Sequence, residues 1–260
     1  MDKKQIAKAF GKKATLYDTH ARVQKYVGDR LLSLLKEQQV SVPGPLLDLG
    51  TGSGYFLPAL KQFQGGDALY AADLSEGMIR FVNEHYQNVL SSSFVADAEQ
   101  LPLADNSLSY IFSSMAIQWC EDYKRLFKEL VRVVKPGGFV AFSTLLPNTL
   151  FELKDAWHEV DERNHVNRFL DSDSIIHAMS VHAEIQSAHA ERVVAGYPDL
   201  KSLLHSIKGI GANTVVEGSG AMTKGQYVKL VRAYESFRDS SGMLPASYDV
   251  FYGVMQVPQE

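Results

Sequence analysis

Between residues 46 and 145, short apolar runs alternate with segments whose apolar residues recur at helical spacing. Each short run predicts a buried strand, and each periodic segment predicts a helix that packs on the strands. Strands that alternate with helices along a chain predict a mostly parallel sheet with helices on both faces, which is an α/β fold. The predicted strands are 45–50, 68–73, 93–97, 108–113 and 139–145, and the predicted helices are 57–63, 75–86 and 121–134.

The segments on either side of this region carry further patterns. Val23, Val27 and Leu31 recur at helical spacing and predict an amphipathic helix over residues 20–38. After Leu145 the alternation stops, and the residues up to 182 are predicted to be mainly helical. The remaining predictions are a strand at 183–196, a helix that starts near residue 198, a helix at 223–238 and a strand at 246–257.

Composition narrows the class of protein. With 45% hydrophobic and 22% charged residues, the chain suits a soluble globular fold. A net charge of −4 does not favour a nucleic-acid partner. The chain has one cysteine, no signal-peptide pattern and no apolar run long enough to span a membrane, so we expect a cytoplasmic protein. Its eight histidines show no tight ligand spacing, and no metal is expected.

A glycine-rich loop, LLDLGTGSGYF, follows the first predicted strand. Gly50, Gly52 and Gly54 allow unusual dihedral angles and a close approach of a ligand to the backbone. The nucleoside-triphosphate pattern requires a GK[ST] ending, which is absent here. The dinucleotide pattern GxGxxG also fails, because Tyr55 or Leu57 stands where its third glycine would fall. The loop therefore predicts a ligand other than these two.

Three carboxylates end the predicted strands around this loop. Asp48 would repel a pyrophosphate and suits a cationic ligand instead. Asp73 lies where a carboxylate accepts hydrogen bonds from ribose hydroxyls, and Asp97 is placed to face an adenine amino group. Together they indicate a nucleoside with a positively charged amino-acid tail, S-adenosylmethionine. The same carboxylates could instead cap helices.

The loop and three further segments carry a family resemblance. The segments LLDLGTGSG, AADLSEGMI, VADAEQLPLADNSLSYIFSS and LVRVVKPGGFVAFSTL resemble the class I S-adenosylmethionine-dependent methyltransferases, and they occur in that family's order. The resemblance implies a Rossmann-like, mostly parallel sheet of seven strands whose last strand is antiparallel, with helical lid segments. The cofactor-binding residues that it implies are Tyr17, Asp48, Gly50, Gly52, Gly54, Asp73, Leu74, Asp97, Ala98, Ser113 and Ser114.

Segments outside this core resemble one particular family within that class. IAKAFGKKATLYDTHARVQKYVGDRLL, TLLPNTLFELKDAWHEVDERNHVNRFLD and LLHSIKGIGANTV are similar to the malonyl-acyl-carrier-protein O-methyltransferases of biotin synthesis, the BioC family. That similarity implies methylation of the free carboxylate of a malonyl thioester held on acyl carrier protein, which begins pimeloyl and biotin synthesis. No catalytic residue is certain, and Tyr17 and Arg168 are positioning candidates. The implied substrate-binding residues are Gln118, Trp119, His165, Asn167, Arg168 and Lys208.

Other interpretations stay open at this point. The acceptor could be a quinone precursor or a free acid, or the chain could be a cofactor-binding interaction module that catalyses nothing. Trp119 could belong to the core, Cys120 is expected to be a buried thiol, and the basic residues could be ordinary surface charge. An acidic carrier protein would dock on a basic face. Candidates for that face are Lys12, Lys13, Lys201, Lys208, Lys224, Lys229 and Arg232.

We expect a single methyltransferase domain over residues 1–260, because no linker, repeat or low-complexity tract interrupts the chain. Its expected parts are an N-terminal helical lid at 1–40, a cofactor-binding core at 41–145, substrate-side insertions at 146–222, and a closing helix and strand at 223–260.

Overall fold

A computed structural model describes Lys3, Ala7 and residues 21–38, 42–209 and 222–259. Its centre is one sheet of seven strands. The strands are β1 (Leu46–Leu49), β2 (Leu69–Asp73), β3 (Ser92–Val95), β4 (Leu108–Ser114), β5 (Val134–Leu145), β6 (Glu184–Tyr197) and β7 (Leu244–Gln256). The described helices are α1 (Arg22–Glu37), α2 (Leu57–Gln64), α3 (Glu76–Tyr86), α4 (Tyr123–Val133), α5 (Phe151–His158), α6 (Ser172–Ser180), α7 (Leu200–Gly209) and α8 (Lys224–Glu235), and a 3₁₀ turn covers Ile117–Trp119.

The strand order is β3-β2-β1-β4-β5-β7-β6. The first five strands pair in parallel, and β7 runs antiparallel to both of its neighbours. The predicted sheet of seven strands with an antiparallel last strand is therefore confirmed. The order reverses between β1 and β4, and parallel sheets bind ligands in the crevice outside the carboxyl ends of the strands at such a point.

The central strands are buried on both faces, which explains why their sequences are continuously apolar rather than alternating. In β4, Ile111 and Phe112 are both fully buried but belong to two different core clusters, one on each face of the sheet. Leu31 of α1 joins the cluster of Phe112. Phe127 of α4 joins the cluster of Ile111, and its ring lies 5.2 Å from that of Phe142. Helices thus cover the sheet from both sides, as predicted.

One boundary differs from the prediction. The sequence predicts that Lys135, Pro136, Gly137 and Gly138 separate a helix from a strand at 139, but β5 begins at Val134, directly after α4. The pairing of β5 with β4 shifts register between Leu108 and Tyr110, and this irregularity takes up the extra residues. Gly137, with a φ of 77°, donates its N–H to the carbonyl of Val257 at 2.9 Å. The glycine thus ties the start of β5 to the chain just after β7.

Helix caps fix the loops that follow the strands. Ser75 caps α3 by accepting a hydrogen bond from the Met78 amide at 3.4 Å. Asp122 caps α4 by accepting from the amides of Lys124 and Arg125. Among the described residues, no helix combines the length and the apolar character needed to cross a membrane.

Candidate functional site: a cleft at the carboxyl ends of the strands

The glycine loop turns sharply as it leaves β1. The amides of Gly50 and Thr51 both donate to the carbonyl of Ala72 on the neighbouring strand, at 2.7 and 3.0 Å. Gly50, Gly52 and Gly54 all adopt left-handed backbone conformations, with φ of 74°, 55° and 79°. Side chains with a β-carbon rarely adopt these angles, so the conformation explains the three glycines.

The glycine loop and the carboxyl ends of β2 and β4 border a cleft, at the edge of the sheet where parallel strands bind ligands. Nine of the predicted cofactor or substrate residues line it: Gly50, Gly52, Asp73, Leu74, Asp97, Ala98, Ser113, Ser114 and Trp119. Sequence reasoning did not assign several other lining residues, among them Lys3, Met78, Met115 and Ala116. Cys120 also lines the cleft, and burial raises the pKa of its thiol to about 12, so the thiol stays protonated.

Asp73 braces the glycine loop from the end of β2. One carboxylate oxygen accepts from the Gly52 amide at 3.0 Å, and the other accepts from the Ser75 amide at 2.8 Å. Burial raises the pKa of Asp73, although these two hydrogen bonds act in the opposite direction. The carboxylate therefore links the loop, the strand and the start of α3, and it faces the cleft.

Asp48 lies behind the loop with only 3% of its surface exposed. Its carboxylate accepts a hydrogen bond from the Thr51 hydroxyl at 2.7 Å. Burial raises the pKa of Asp48 to about 7; the Thr51 bond opposes this shift and the charge of Asp73 adds to it. A buried carboxylate of this kind is stabilised in its charged form by a nearby cation. The two acids thus make this end of the site suited to positive charge.

Asp97 carries an ion pair that sequence reasoning missed. The ammonium of Lys3 donates to both oxygens of Asp97, at 2.9 and 2.7 Å, and also contacts Glu99. Burial opposes ionisation of Asp97, but its hydrogen bond with Lys3 prevails and lowers the pKa of Asp97. The carboxylate therefore stays charged at the edge of the cleft, where it was predicted to face an adenine amino group.

A clamped loop after β4 forms another wall. Met115 has a φ of 53°, which is uncommon for a residue with a side chain. Its amide donates to both the carbonyl and the hydroxyl oxygen of Ser143, at 3.1 and 3.0 Å, and its carbonyl accepts from Gln118 Nε2 at 2.6 Å. Gln118 was predicted to wall the acceptor pocket, yet it is not among the residues that line the cleft, whereas Trp119 is.

His165, Asn167 and Arg168, which were predicted to bind the acceptor, line a second cavity. Its wall also includes Lys154, Trp157, His158, Arg163 and Asn164. The rings of Trp157 and His165 stack with their centroids 3.5 Å apart, and Asp161 accepts from His165 and Arg163, each at 2.7 Å. The structure therefore brings these three residues together, but at a separate place from the cleft.

The remaining predicted residues lie elsewhere. Gly54 does not line the cleft but packs closely, since a β-carbon there would come within 2.9 Å of Leu57 and Tyr86. Lys208 lies in the last turn of α7. Tyr17, like Lys12 and Lys13, falls outside the described residues. Within the described ranges, no three histidine, cysteine, aspartate or glutamate side chains form a group that could hold a metal ion.

Comparison with known proteins agrees with this geometry. A family model described as a methyltransferase domain matches residues 47–142. A malonyl-[acyl-carrier protein] O-methyltransferase of Marinomonas sp. (strain MWYL1) is 36% identical over 98% of this chain and 94% of that protein. The protein of the same name from Hahella chejuensis is 38% identical over 96% of this chain and 89% of that protein. The chain spans about half the length of the biotin biosynthesis bifunctional protein BioHC of Teredinibacter turnerae, to which it is 38% identical over 47% of that protein.

Solved structures share the fold at lower identity. YcgJ of Bacillus subtilis matches with a TM-score of 0.61 at 16% identity, over 88% of this chain and 98% of that one. The [4+2]-cyclase SpnF matches with a TM-score of 0.56 at 17% identity, over 89% of this chain and 81% of that one. The fold therefore does not by itself specify a reaction. The relatives that match over nearly their whole length do show the family: the chain belongs to the class I methyltransferases, in the group that contains the malonyl-[acyl-carrier protein] O-methyltransferases.

Proposed function

We propose that this protein transfers a methyl group from S-adenosylmethionine to the free carboxylate of a malonyl thioester on acyl carrier protein. The product is the malonyl methyl ester that begins pimeloyl and biotin synthesis. The observation that carries the proposal is the placement of three acids: Asp73 and Asp97 line the cleft, and Asp48 is buried behind its glycine loop, a set that matches a cationic nucleoside. The named activity of the near-full-length relatives supports the choice of acceptor.

The cleft fits the proposed cofactor by the chemistry of its donors and walls. Asp73, beside the glycine loop, would accept hydrogen bonds from ribose hydroxyls, and Leu74 and Met78 offer apolar surface for an adenine ring. Asp97 would take the adenine amino group and exchange its hydrogen bond with Lys3. Asp48 would stabilise the positively charged amino-acid end.

When bound, S-adenosylmethionine supplies an electrophilic methyl group attached to a positively charged sulfur. The malonyl carboxylate is already ionised at neutral pH and needs no general base. The protein therefore contributes alignment of the reacting oxygen with the methyl carbon and exclusion of water. Ser114, Met115 and Trp119 line the cleft after β4 and would form the wall at which the acceptor enters. Protonated Cys120 does not compete as a nucleophile.

We propose that the reaction takes place in the cytoplasm. The free thiol of Cys120 suits a reducing compartment. The acyl carrier protein docks through its acidic surface on a basic face of the enzyme. Lys201, Lys208, Lys224, Lys229 and Arg232 are the described candidates for that face.

A comparison of acceptors tests the proposal. The purified protein is incubated with S-adenosylmethionine and, in parallel, with malonyl-acyl carrier protein, malonyl-coenzyme A or free malonate, and products are weighed by intact-mass spectrometry. We expect one added methyl on the malonyl carrier and slower or no reaction of free malonate. If none of the three is methylated while the cofactor still binds, the malonyl assignment is wrong and a different small-molecule acceptor is required.

A further inference from the structure

We propose that the second cavity, lined by residues between Pro147 and Phe169, binds the phosphate diester of the carrier's phosphopantetheine arm. The inference rests on the proposed function and changes the role predicted for Arg168. Arg168 would hold the phosphate at the far end of the arm rather than the malonyl carboxylate. The malonyl group would then be held in the cofactor cleft.

The lining of the cavity has the charge that a phosphate diester requires. Three of its lining residues, Lys154, Arg163 and Arg168, are cationic, and no acidic residue lines it within the described part of the chain. Arginine pairs with phosphate oxygens through two parallel hydrogen bonds, and such charge-assisted bonds are about twice as strong as neutral ones. His158, Asn164 and Asn167 add further side chains that donate hydrogen bonds.

The cations differ in how much of their bonding capacity is already used. Asp161 holds Arg163 through two guanidinium contacts of 3.1 and 2.7 Å, so this side chain is positioned before any ligand arrives. The ammonium of Lys154 donates to the carbonyl of Pro147. Burial lowers the pKa of Lys154, and the charges of Asp155 and Asp249 act against this shift. Arg168 forms no hydrogen bond or ion pair with any residue in the described ranges, so its five donors remain available to a ligand.

Stacking and hydrogen bonds also fix the side chains next to these cations. The His165 ring stacks on Trp157, and Asp161 accepts from His165 Nε2. Gln226 of α8 donates to the other oxygen of Asp161 at 3.4 Å, which connects the cavity to a second helix. Both oxygens of Asp161 thus have partners. Asp161 does not line the cavity itself, but it positions Arg163 and His165, which do.

The position of the cavity excludes the reacting carboxylate as its ligand. A nucleophile must lie about 3 to 3.5 Å from the atom that it attacks, so the malonyl oxygen must sit in the cofactor cleft. Of the residues that the structure describes, none lines both the cleft and the cavity. A guanidinium bound to the attacking carboxylate would also partly neutralise the negative charge that makes the carboxylate nucleophilic. The cavity therefore suits an anion that does not react.

A short stretch of chain connects the walls of the two places. Ser143 bonds to the Met115 amide in the cleft wall, and Pro147 at the rim of the second cavity follows Ser143 by four residues. Four residues span at most about 14 Å of extended chain. The arm has about thirteen bonds between phosphorus and sulfur, and by the same reach per bond it extends to roughly 15 Å. The arm is therefore at least as long as the separation of Ser143 and Pro147, the residues by which the two walls are connected.

Substrates with and without the phosphate test this assignment. Methyl transfer is measured on malonyl-acyl carrier protein, malonyl-phosphopantetheine and malonyl-pantetheine, with the native chain, Arg168→Ala, Arg168→Lys and the exposed control Arg80→Ala. Arg168→Ala should raise KM for the two phosphate-bearing substrates at least about tenfold, as expected for loss of a charge-assisted hydrogen bond. Its kcat/KM for malonyl-pantetheine should stay within about twofold of the native value. Arg168→Lys should recover part of the loss, and Arg80→Ala should behave as the native chain.

Two outcomes overturn the inference. An equal loss on malonyl-pantetheine would show that Arg168 binds the malonyl end, and unchanged KM for every substrate would show that it binds neither. Titration calorimetry with phosphopantetheine and pantetheine keeps this test separate from the proposed function. Native protein should bind phosphopantetheine more tightly, and Arg168→Ala should lose that preference, even if no malonyl thioester is methylated. Equal binding of the two ligands by the native chain would refute the inference.

Discussion

Gly50 of the glycine loop lies directly against Ala116 of the loop that follows β4. A β-carbon added at Gly50 would lie 2.2 Å from the β-carbon of Ala116, which is closer than two such atoms can approach. Because Gly50 also has a φ of 74°, the position excludes other residues for two independent reasons. The cleft thus depends on contact between two loops that are far apart in the sequence.

We predict that Gly50→Ala lowers the free energy of unfolding by about 2 to 4 kcal/mol, by adding overpacking to backbone strain. Gly65→Ala is the matched control, since Gly65 has the same φ of 74° and an added β-carbon there would have no described residue within 4 Å. Its cost should be about 1 kcal/mol, the backbone contribution alone. Denaturant unfolding of both variants and of Gly50→Ala/Ala116→Gly measures the difference. Equal losses in the two single variants, or no recovery in the double variant, would contradict this account of the contact.

Asp73→Asn should weaken binding of S-adenosylmethionine at least about tenfold, since a hydrogen bond to a charged group contributes about 1.5 to 3 kcal/mol. The amide can still accept a hydrogen bond from one of the two backbone amides that Asp73 now contacts. Titration calorimetry on the folded variant gives the affinity, with Glu84→Gln on the exposed face of α3 as control. Unchanged affinity in folded Asp73→Asn would remove Asp73 from the cofactor site.

The raised pKa of Asp48 predicts that cofactor affinity depends on pH. In the free protein this pKa is about 7, and a cationic ligand lowers it by stabilising the carboxylate. Below pH 7 the ligand must displace a proton, so affinity should fall as pH falls, by up to about tenfold per pH unit, and should level off above pH 7. Asp73, whose pKa burial also raises, acts in the same direction. Binding measured from pH 5.5 to 8.5 should show the slope weaken in Asp48→Asn; a flat profile in the native chain would disprove the prediction.

The same group makes a prediction for the free protein. The folded state holds the Asp48 proton more tightly than the unfolded chain, because its pKa is raised from 3.8 to about 7. The free energy of unfolding should therefore decrease as pH rises between these two values, and this contribution should be constant above pH 7. Asp48→Asn should remove that part of the decrease. Urea unfolding at several pH values measures it, and identical pH profiles for the two proteins would contradict the assignment.

Gln118 is expected to act through Met115 rather than on the acceptor. Gln118→Leu removes the 2.6 Å bond to the Met115 carbonyl and frees a strained loop that lines the cleft. We predict a fall in kcat of about tenfold with little change in KM for the acceptor, since misplacement of reacting groups mainly affects the chemical step. Gln87→Leu, at an exposed position after α3, is the control. A rise in KM alone would instead support the predicted direct contact between Gln118 and the acceptor.

The sequence predicts the fold and much of the cleft because the relevant signals are local. Strand and helix periodicity, the three glycines and the acids at the strand ends all occur within short segments. Lys3 could not be assigned this way, because its partner Asp97 is 94 positions away and no motif connects them. The strained φ of Met115 also depends on a distant residue, Ser143. The second cavity could not be predicted from the sequence for the same reason, since Lys154 and Arg168 come together only in the folded chain.

The most direct test of the central claim is the position of the transferred methyl group. Malonyl-acyl carrier protein is incubated with S-adenosylmethionine that carries a ¹³C-labelled methyl, and the carrier is examined by nuclear magnetic resonance before and after mild alkaline hydrolysis. We predict a methyl-ester signal on the carrier that hydrolysis releases as labelled methanol. A label that resists hydrolysis, as on the malonyl methylene carbon or on the protein, or no label on the carrier, would contradict carboxyl methylation.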